Sequence, residues 1–179
     1  MKIIFITLSL FACSFSVLPA RILSHGNGPD AVVLDRSRLQ LVGQAQLSVL
    51  FWDIYQSRLY TSSGRFSRDE QQLLFEINYQ RDISRKELVS ATLEQWQHLD
   101  IAESDYQQYL PYLKALWPDV SAGDTLTLFS DGSGSAFYFN GRYLGKIRDE
   151  KFAGMFLDIW LSPRTSRPGI RKALLGISP

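Results

Sequence analysis

The apolar positions of this chain repeat at two distinct periods, and each change of period marks a new element. From Val32 to Thr61 the chain is rich in Val, Leu, Ile, Tyr and Trp, with Gly43 as the main interruption. That composition predicts two or three strands, the first ending near Asp35. A polar loop, "SSGRFSRDE", follows. Gln72 to Arg81 then alternates, with Leu73, Phe75, Ile77 and Tyr79 on one face and Leu74, Glu76, Asn78 and Gln80 on the other. A period of two predicts a half-buried strand.

Next the period lengthens. Ser84-Arg85-Lys86-Glu87 has the form of a capping box, in which the serine side chain and the glutamate satisfy each other's backbone amides. The helix it opens carries Leu88, Thr92, Trp96 and Leu99 on one stripe, with Val89 and Leu93 beside it. A second helical pattern runs from Tyr106 to Trp117; Pro111 inside it predicts a kink or a restart, and Pro118 ends it. Alternation returns in "GDTLTLFSDGSGSAFYFNGRYLGKI", where Asp131-Gly132 and Asn140-Gly141 predict the turns of a three-stranded meander. Asp149 suits the cap of a helix bearing Phe152, Phe156, Ile159 and Trp160. A last helix is expected from about Ser166 to Leu175, with Gly176 as its stop. Strands, two helices, strands and two helices make an α+β fold with a large antiparallel sheet packed by helices.

Composition adds little to the fold and much to location. The chain has 179 residues, 45% apolar and 21% charged, with a formal net charge of +1. Nucleic acid is not an expected partner, because no basic surplus exists to meet phosphate. Residues 1–20 read as a signal peptide: Lys2, an apolar run from Ile3 to Leu18, then Leu18-Pro19-Ala20 before Arg21. The run is shorter than the ~20 residues a membrane span needs, so no transmembrane segment is expected in the mature chain. Residues 21–31 form a Gly-rich flexible lead-in, and residues 32–179 one domain. Export to the periplasm or beyond is the expectation; a lipoprotein anchored at Cys13 is the minor alternative. Cys13 is the sole cysteine, so a cleaved chain holds no disulfide and no thiolate. Removal of Lys2 takes the 19 basic residues to 18, matching the 18 acidic ones.

The chemistry of catalysis is thinly represented. His25 falls in the lead-in and His98 in the last turn of a helix, where a histidine usually stabilises the helix dipole. No histidine pair has ligand spacing, so neither a metal nor a cofactor is expected. "DGSGS" lies between strands and reads as a hairpin loop rather than a phosphate cradle. What remains is aromatic density around a few polar groups. Arg81 shares the parity of Phe75, Ile77 and Tyr79, which places it on the apolar face, where a charge must find a partner or reach water. It either snorkels, or pairs with Asp53 or Asp82, or binds the anionic head of an apolar ligand beside a tyrosine. In "FWDIYQSRLY" (51–60), Tyr55 shares a face with Phe51, Asp53 and Leu59, and Trp52, Ile54 and Arg58 take the other. Large apolar groups on both faces predict a strand covered on both sides.

Four stretches together resemble the chalcone isomerase-like family, within it the exported bacterial branch of uncharacterised proteins. They are "LVGQAQLSVLFWDIYQSRLYT", "INYQRDISRKELVSATLEQW", the meander, and "FAGMFLDIWLSPRTSRPGIRKALLG". The most specific pieces are Ile54-Tyr55-x-x-x-Leu59-Tyr60, Gly123-Asp124, and Ile159-Trp160-Leu161 with the basic helix after it. The resemblance implies an open-faced β-sandwich, a large antiparallel sheet with helices forming a cleft on one side. It also implies one of two activities: closure of a chalcone to a flavanone, or binding of a fatty acid through an Arg and a Tyr. The family's Arg place falls here on Gly43, and Tyr55 stands where the enzyme has Thr and the fatty-acid binders have Tyr. The enzyme's helical Tyr, Lys and Asn places fall on Ser84, Glu87 and Ala91.

These departures remove the groups that would stabilise a phenoxide or an enolate. No catalytic residue is therefore assigned, and the expectation leans away from an enzyme. The expected function is binding of a small amphipathic ligand, a fatty acid or an aromatic acid. The candidate binding residues are Tyr55, Arg81, Tyr79, Arg58 and Trp96. An isomerase or intramolecular lyase with a rearranged site is the alternative; another is a pocketless envelope module in which Trp52, Trp96 and Tyr79 pack together. Sequence gives no oligomeric state.

Overall fold

The computed structural model describes residues 36–177. The expected signal peptide, the lead-in and the strand ending near Asp35 lie outside the described residues, as do Cys13 and His25. After a short 3-10 turn at Arg36–Arg38, six strands form one antiparallel sheet in sequence order. They are β1 (Gln40–Val49), β2 (Trp52–Thr61), β3 (Leu73–Tyr79), β4 (Thr125–Ser130), β5 (Ser135–Phe139) and β6 (Arg142–Ile147). Five helical segments complete the chain: α1 (Arg85–His98), α2 (Glu103–Tyr106), α3 (Leu110–Leu116), α4 (Glu150–Leu161) and α5 (Pro168–Leu174). The expected α+β architecture is the one observed.

Local chemistry sets the element boundaries. The Ser84 hydroxyl accepts from the Glu87 amide while the Ser84 amide donates to the Glu87 carboxylate, the reciprocal box that starts α1. Pro111 restarts the second helical region: a 3-10 turn at Gln107–Tyr109 ends there, and α3 begins with the proline in its first turn. Asn140 and Gly141 both take positive φ, 48° and 82°, the mirror-image turn whose twist suits the β5–β6 hairpin. Asp149 caps α4 by accepting from the Lys151 amide, and its other oxygen accepts from the Tyr109 hydroxyl at 2.6 Å.

All the long helices cover one face of the sheet. Leu59, Phe75, Ile77, Leu128 and Phe137 project from that face against Trp96, Leu113, Phe152, Phe156 and Trp160. Each such side chain, fully buried, contributes about 1.5–3 kcal/mol. The opposite face, open to a polar groove, carries a smaller buried cluster, Leu74, Phe129, Ala136 and Tyr138. β2 is packed by helices on one side and half-buried on the other at Gln56, Arg58 and Tyr60. Its outward residues include Gln56 and Arg58, and Trp52 at its start is 71% exposed.

Two local irregularities shape the covered face around β1. Tyr55 pairs with Leu47 and Asp53 with Ser48, which leaves Ile54 as an extra residue in β2, a β-bulge. The bulge breaks the alternation expected for residues 51–55. At the other end of β1, α5 lies so close that a Cβ on Gly43 would stand 2.2 Å from the Ala173 carbonyl oxygen and 2.6 Å from that of Leu174. Gly43 is glycine because helix backbone occupies the place of its side chain.

Candidate functional site

The covered face does not close completely. Between β1–β4, α1, α4 and the turn leading into α5 lies a cleft of about 250 Å³. Its walls are apolar, with Leu47, Ile77, Leu88, Leu126, Phe156 and Trp160 prominent. The bulge has a direct role: Ile54 and Tyr55, adjacent in sequence, both line it.

Two phenols stand in this apolar setting. The Tyr55 and Tyr79 rings meet edge to face with centroids 6.2 Å apart, across the pairing of β2 with β3. The Tyr55 oxygen accepts from the Trp160 indole at 2.7 Å. Among the described residues its own proton has no acceptor, and the Tyr79 hydroxyl makes no hydrogen bond. Burial raises the pKa of Tyr55 above the usual phenol value, against the pull of the Trp160 hydrogen bond and the positive charge of Arg167. Burial raises Tyr79 as well, and the neighbouring Tyr55 adds to it. Both therefore stay protonated at neutral pH, as donors.

Arg167 is the cation at this site. It lines the cleft next to Ser166, immediately before Pro168 opens α5, and its charge acts on the Tyr55 hydroxyl. Its guanidinium pairs with no carboxylate among the described residues. Other polar groups of the cleft are engaged: Thr92 donates to the Leu88 carbonyl, and Ser166 donates to Gln95 at 2.6 Å. Glu87 borders the cleft, but the Ser84 hydroxyl and amide hold its carboxylate, and with the more distant Arg81 they keep it below the ordinary glutamate value. The Trp117 indole, also in the lining, is buried without an acceptor.

Of the five expected binding residues, the structure brings Tyr55 and Tyr79 together in this cleft. Arg81 is not there. The chain bends at Gln80–Arg81, the strand parity ends at Tyr79, and Arg81 is exposed outside the cleft on the side of Glu87. Arg58 projects from the opposite face of the sheet, bonded to Gln56 and Gln44. Trp96 is a core residue, stacked on Tyr106 at 5.4 Å and donating to the Met155 carbonyl, one helical turn beyond the cleft. With Trp52 exposed and Trp96 facing α4, no packed trio of Trp52, Trp96 and Tyr79 forms. Arg167 escaped sequence reasoning; its signal was the arginine set just ahead of the proline that begins the basic helix. Glu87 and Ala91, the places of the enzyme's Lys and Asn, do line the cleft, whereas Ser84 serves the cap.

A sheet with helices on one face and a cleft under them defines an open-faced α+β protein. The chalcone isomerase-like family model matches residues 23–176, and the chain belongs to that family. A Haemophilus influenzae protein described as uncharacterized is 26% identical over 137 residues, which cover 76% of this chain and 68% of the relative. Among solved structures, a fatty-acid binding protein of Arabidopsis thaliana superposes with a TM-score of 0.60 at 12% identity, over 77% of this chain and 87% of that one. The latter similarity is one of fold.

Proposed function

We propose that this protein is a non-catalytic binder of a small amphipathic carboxylate. The apolar body lies between the sheet and α1 and α4, and the head group accepts from Tyr55 and Tyr79 beside Arg167. The observation that carries this reading is one of unfilled valency. Two phenol protons facing the cleft lack acceptors among the described residues, and the exposed guanidinium nearby pairs with no carboxylate there. Hydrogen bonds of this kind to a charged group contribute about 1.5–3 kcal/mol each. The cleft volume, about 250 Å³, falls below the roughly 300–1,000 Å³ of drug-sized pockets, which favours a short chain or a single ring. The fatty-acid binding named for the Arabidopsis thaliana relative points the same way. An isomerase draws less support, since Glu87 and Ala91 offer a departing or developing anion no positive charge.

We further propose that the protein acts after export, on the strength of the residue 1–20 pattern; the mass of the chain recovered from its host compartment tests this. The binding reading is tested by thermal shift and native mass spectrometry with a ladder of straight-chain carboxylates, their matching alcohols, and single-ring aromatic acids. A true ligand at a hundredfold excess over its Kd adds about 2.7 kcal/mol to stability. Arg167→Gln is expected to weaken the carboxylates tenfold or more, by about 1.5–3 kcal/mol, and to leave the alcohols unchanged. Absence of any carboxylate shift, together with no retained species in the mass spectrum, would overturn the reading.

A further inference from the structure

The end of the β1–β2 hairpin displays the three most exposed large apolar side chains among the described residues, Leu50, Phe51 and Trp52, with Val49 beside them. Val49, Leu50, Phe51 and Trp52 are 40%, 88%, 99% and 71% exposed. The turn itself breaks a local rule. Leu50 holds φ at 56°, a left-handed conformation that a two-residue hairpin normally assigns to Asn or Gly. A leucine there costs conformational energy and also hydration, and Phe51 beside it adds nothing to the fold. Such a doubly unfavourable choice on a protruding tip points to something outside the chain that receives it.

We propose that this tip is a membrane-docking finger that inserts into the interface of a lipid bilayer and brings the cleft mouth against it. Three observations select lipid over a protein partner. The finger is a convex knuckle of four residues, whereas a specific protein interface enlists about 20–30 residues a side. Trp52 sits at its base, where an indole suits the headgroup level while Leu50 and Phe51 reach the acyl region. Two cations without carboxylate partners stand at the same end of the sheet. Arg81 follows Gln80, whose amide bonds the Ile54 carbonyl, and Arg167 lies beside Leu47 and Ser48. The acids at this end, Asp53, Asp82 and Glu87, keep their charge and are held by Ser48, the Ala122 amide and Ser84. The end carries no positive surplus, but its two guanidinium groups hold no ion pair and can meet lipid phosphates around the apolar point. Leu47 and Ile54, which line the cleft, lie three residues from the tip, or ~10 Å along the strands. This surface does not depend on the nature of the cleft ligand.

The test uses vesicles of phosphatidylethanolamine and phosphatidylglycerol, with phosphatidylcholine vesicles for comparison. The full chain is set against the Leu50→Gly, Phe51→Ser double variant, prepared identically so that the N-terminal apolar stretch is common to both. Only Leu50 of the two loop residues has positive φ, and such a turn prefers glycine first, so the variant is expected to melt no lower than the parent. The parent should co-float with the anionic vesicles and the variant should partition about tenfold more weakly or worse. Trp96, Trp117 and Trp160 are buried, so quenching of fluorescence by brominated lipid reads Trp52. It should occur in the parent and vanish in the variant. Arg81→Gln should reduce flotation on anionic vesicles and leave it unchanged on phosphatidylcholine. Equal flotation of parent and variant, or no Trp52 quenching, overturns the proposal. So does a parent that self-associates through the tip and becomes monomeric in the variant, which would assign the finger to a protein contact.

Discussion

The two faces of the sheet hold hollows of opposite character. The open face carries the larger, a polar groove of about 560 Å³ that includes Arg36, Gln56, Arg58, Glu76, Asn78 and Thr127. Its polar groups satisfy one another: Arg36 pairs with Glu76 at 2.9 Å and lies over the Tyr60 ring, Arg58 donates to Gln56, and Asn78 donates to the Gly123 carbonyl and Thr125. The covered face holds the smaller hollow, mostly apolar, yet the Tyr55 and Tyr79 protons and the Arg167 guanidinium there keep hydrogen-bonding capacity to spare. Size and polarity are thus poor guides to a binding site. Unmet hydrogen-bonding capacity next to apolar walls is the better one, because a ligand gains there what the protein does not already supply.

The contrast can be broken from the covered side most severely. Gly43→Ala forces a methyl group into the α5 backbone and is expected to cost about 3 kcal/mol or more, measured by urea unfolding. It should also abolish cleft binding, since Arg167 sits at the start of the displaced helix. On the open side, Glu76→Gln leaves the Arg36 guanidinium without its carboxylate; a loss of about 1–3 kcal/mol is expected with ligand affinity unchanged. A fall in affinity would show that the two faces are coupled.

Alkaline titration probes the buried phenols. Tyr79 and Tyr55 are raised above the ordinary value, and Tyr109, whose hydroxyl donates to Asp149, is pushed up to about 12 by burial and by that carboxylate. An acid that stays protonated in the fold but ionises in the unfolded chain favours unfolding as pH rises. Stability should be full below about pH 10, the unfolded tyrosine value, and fall above it. Tyr79→Phe is expected to flatten that decline. At neutral pH the same substitution removes a hydroxyl with no partner, so stability should move by no more than about 0.5 kcal/mol. Carboxylate affinity, in contrast, should drop, and calorimetry on Tyr79→Phe separates the two effects.

Much of the scaffold was legible in sequence because it depends on local rules. The alternation of Leu73 to Tyr79, the Ser84–Glu87 box, the restart at Pro111 and the Asn140-Gly141 turn each need only a few neighbouring residues. Of the candidate cleft, the nearness of Tyr55 and Tyr79 was legible and the place of Arg167 was not. Parity extended Arg81 onto the inner face because nothing in the string marks the bend at Gln80. A bulge at Ile54 likewise has no glycine or proline to announce it, and it alters which side chains face inward. Trp96 shares a helical stripe with Leu88 and Thr92, which line the cleft, but one turn further the stripe meets α4 instead. Arg167 reaches Tyr55 only through the packing of α5 on β1, a long-range event that no short window contains.

That packing makes Gly43 a fork in the architecture. With helix carbonyls seated on its α-carbon, this position cannot host both a cationic side chain and the terminal helix in its present berth. A chain of this family that keeps an arginine there must hold its last helix elsewhere, and with it whatever precedes that helix. One glycine thus decides from which end of the sequence the positive charge enters the cleft.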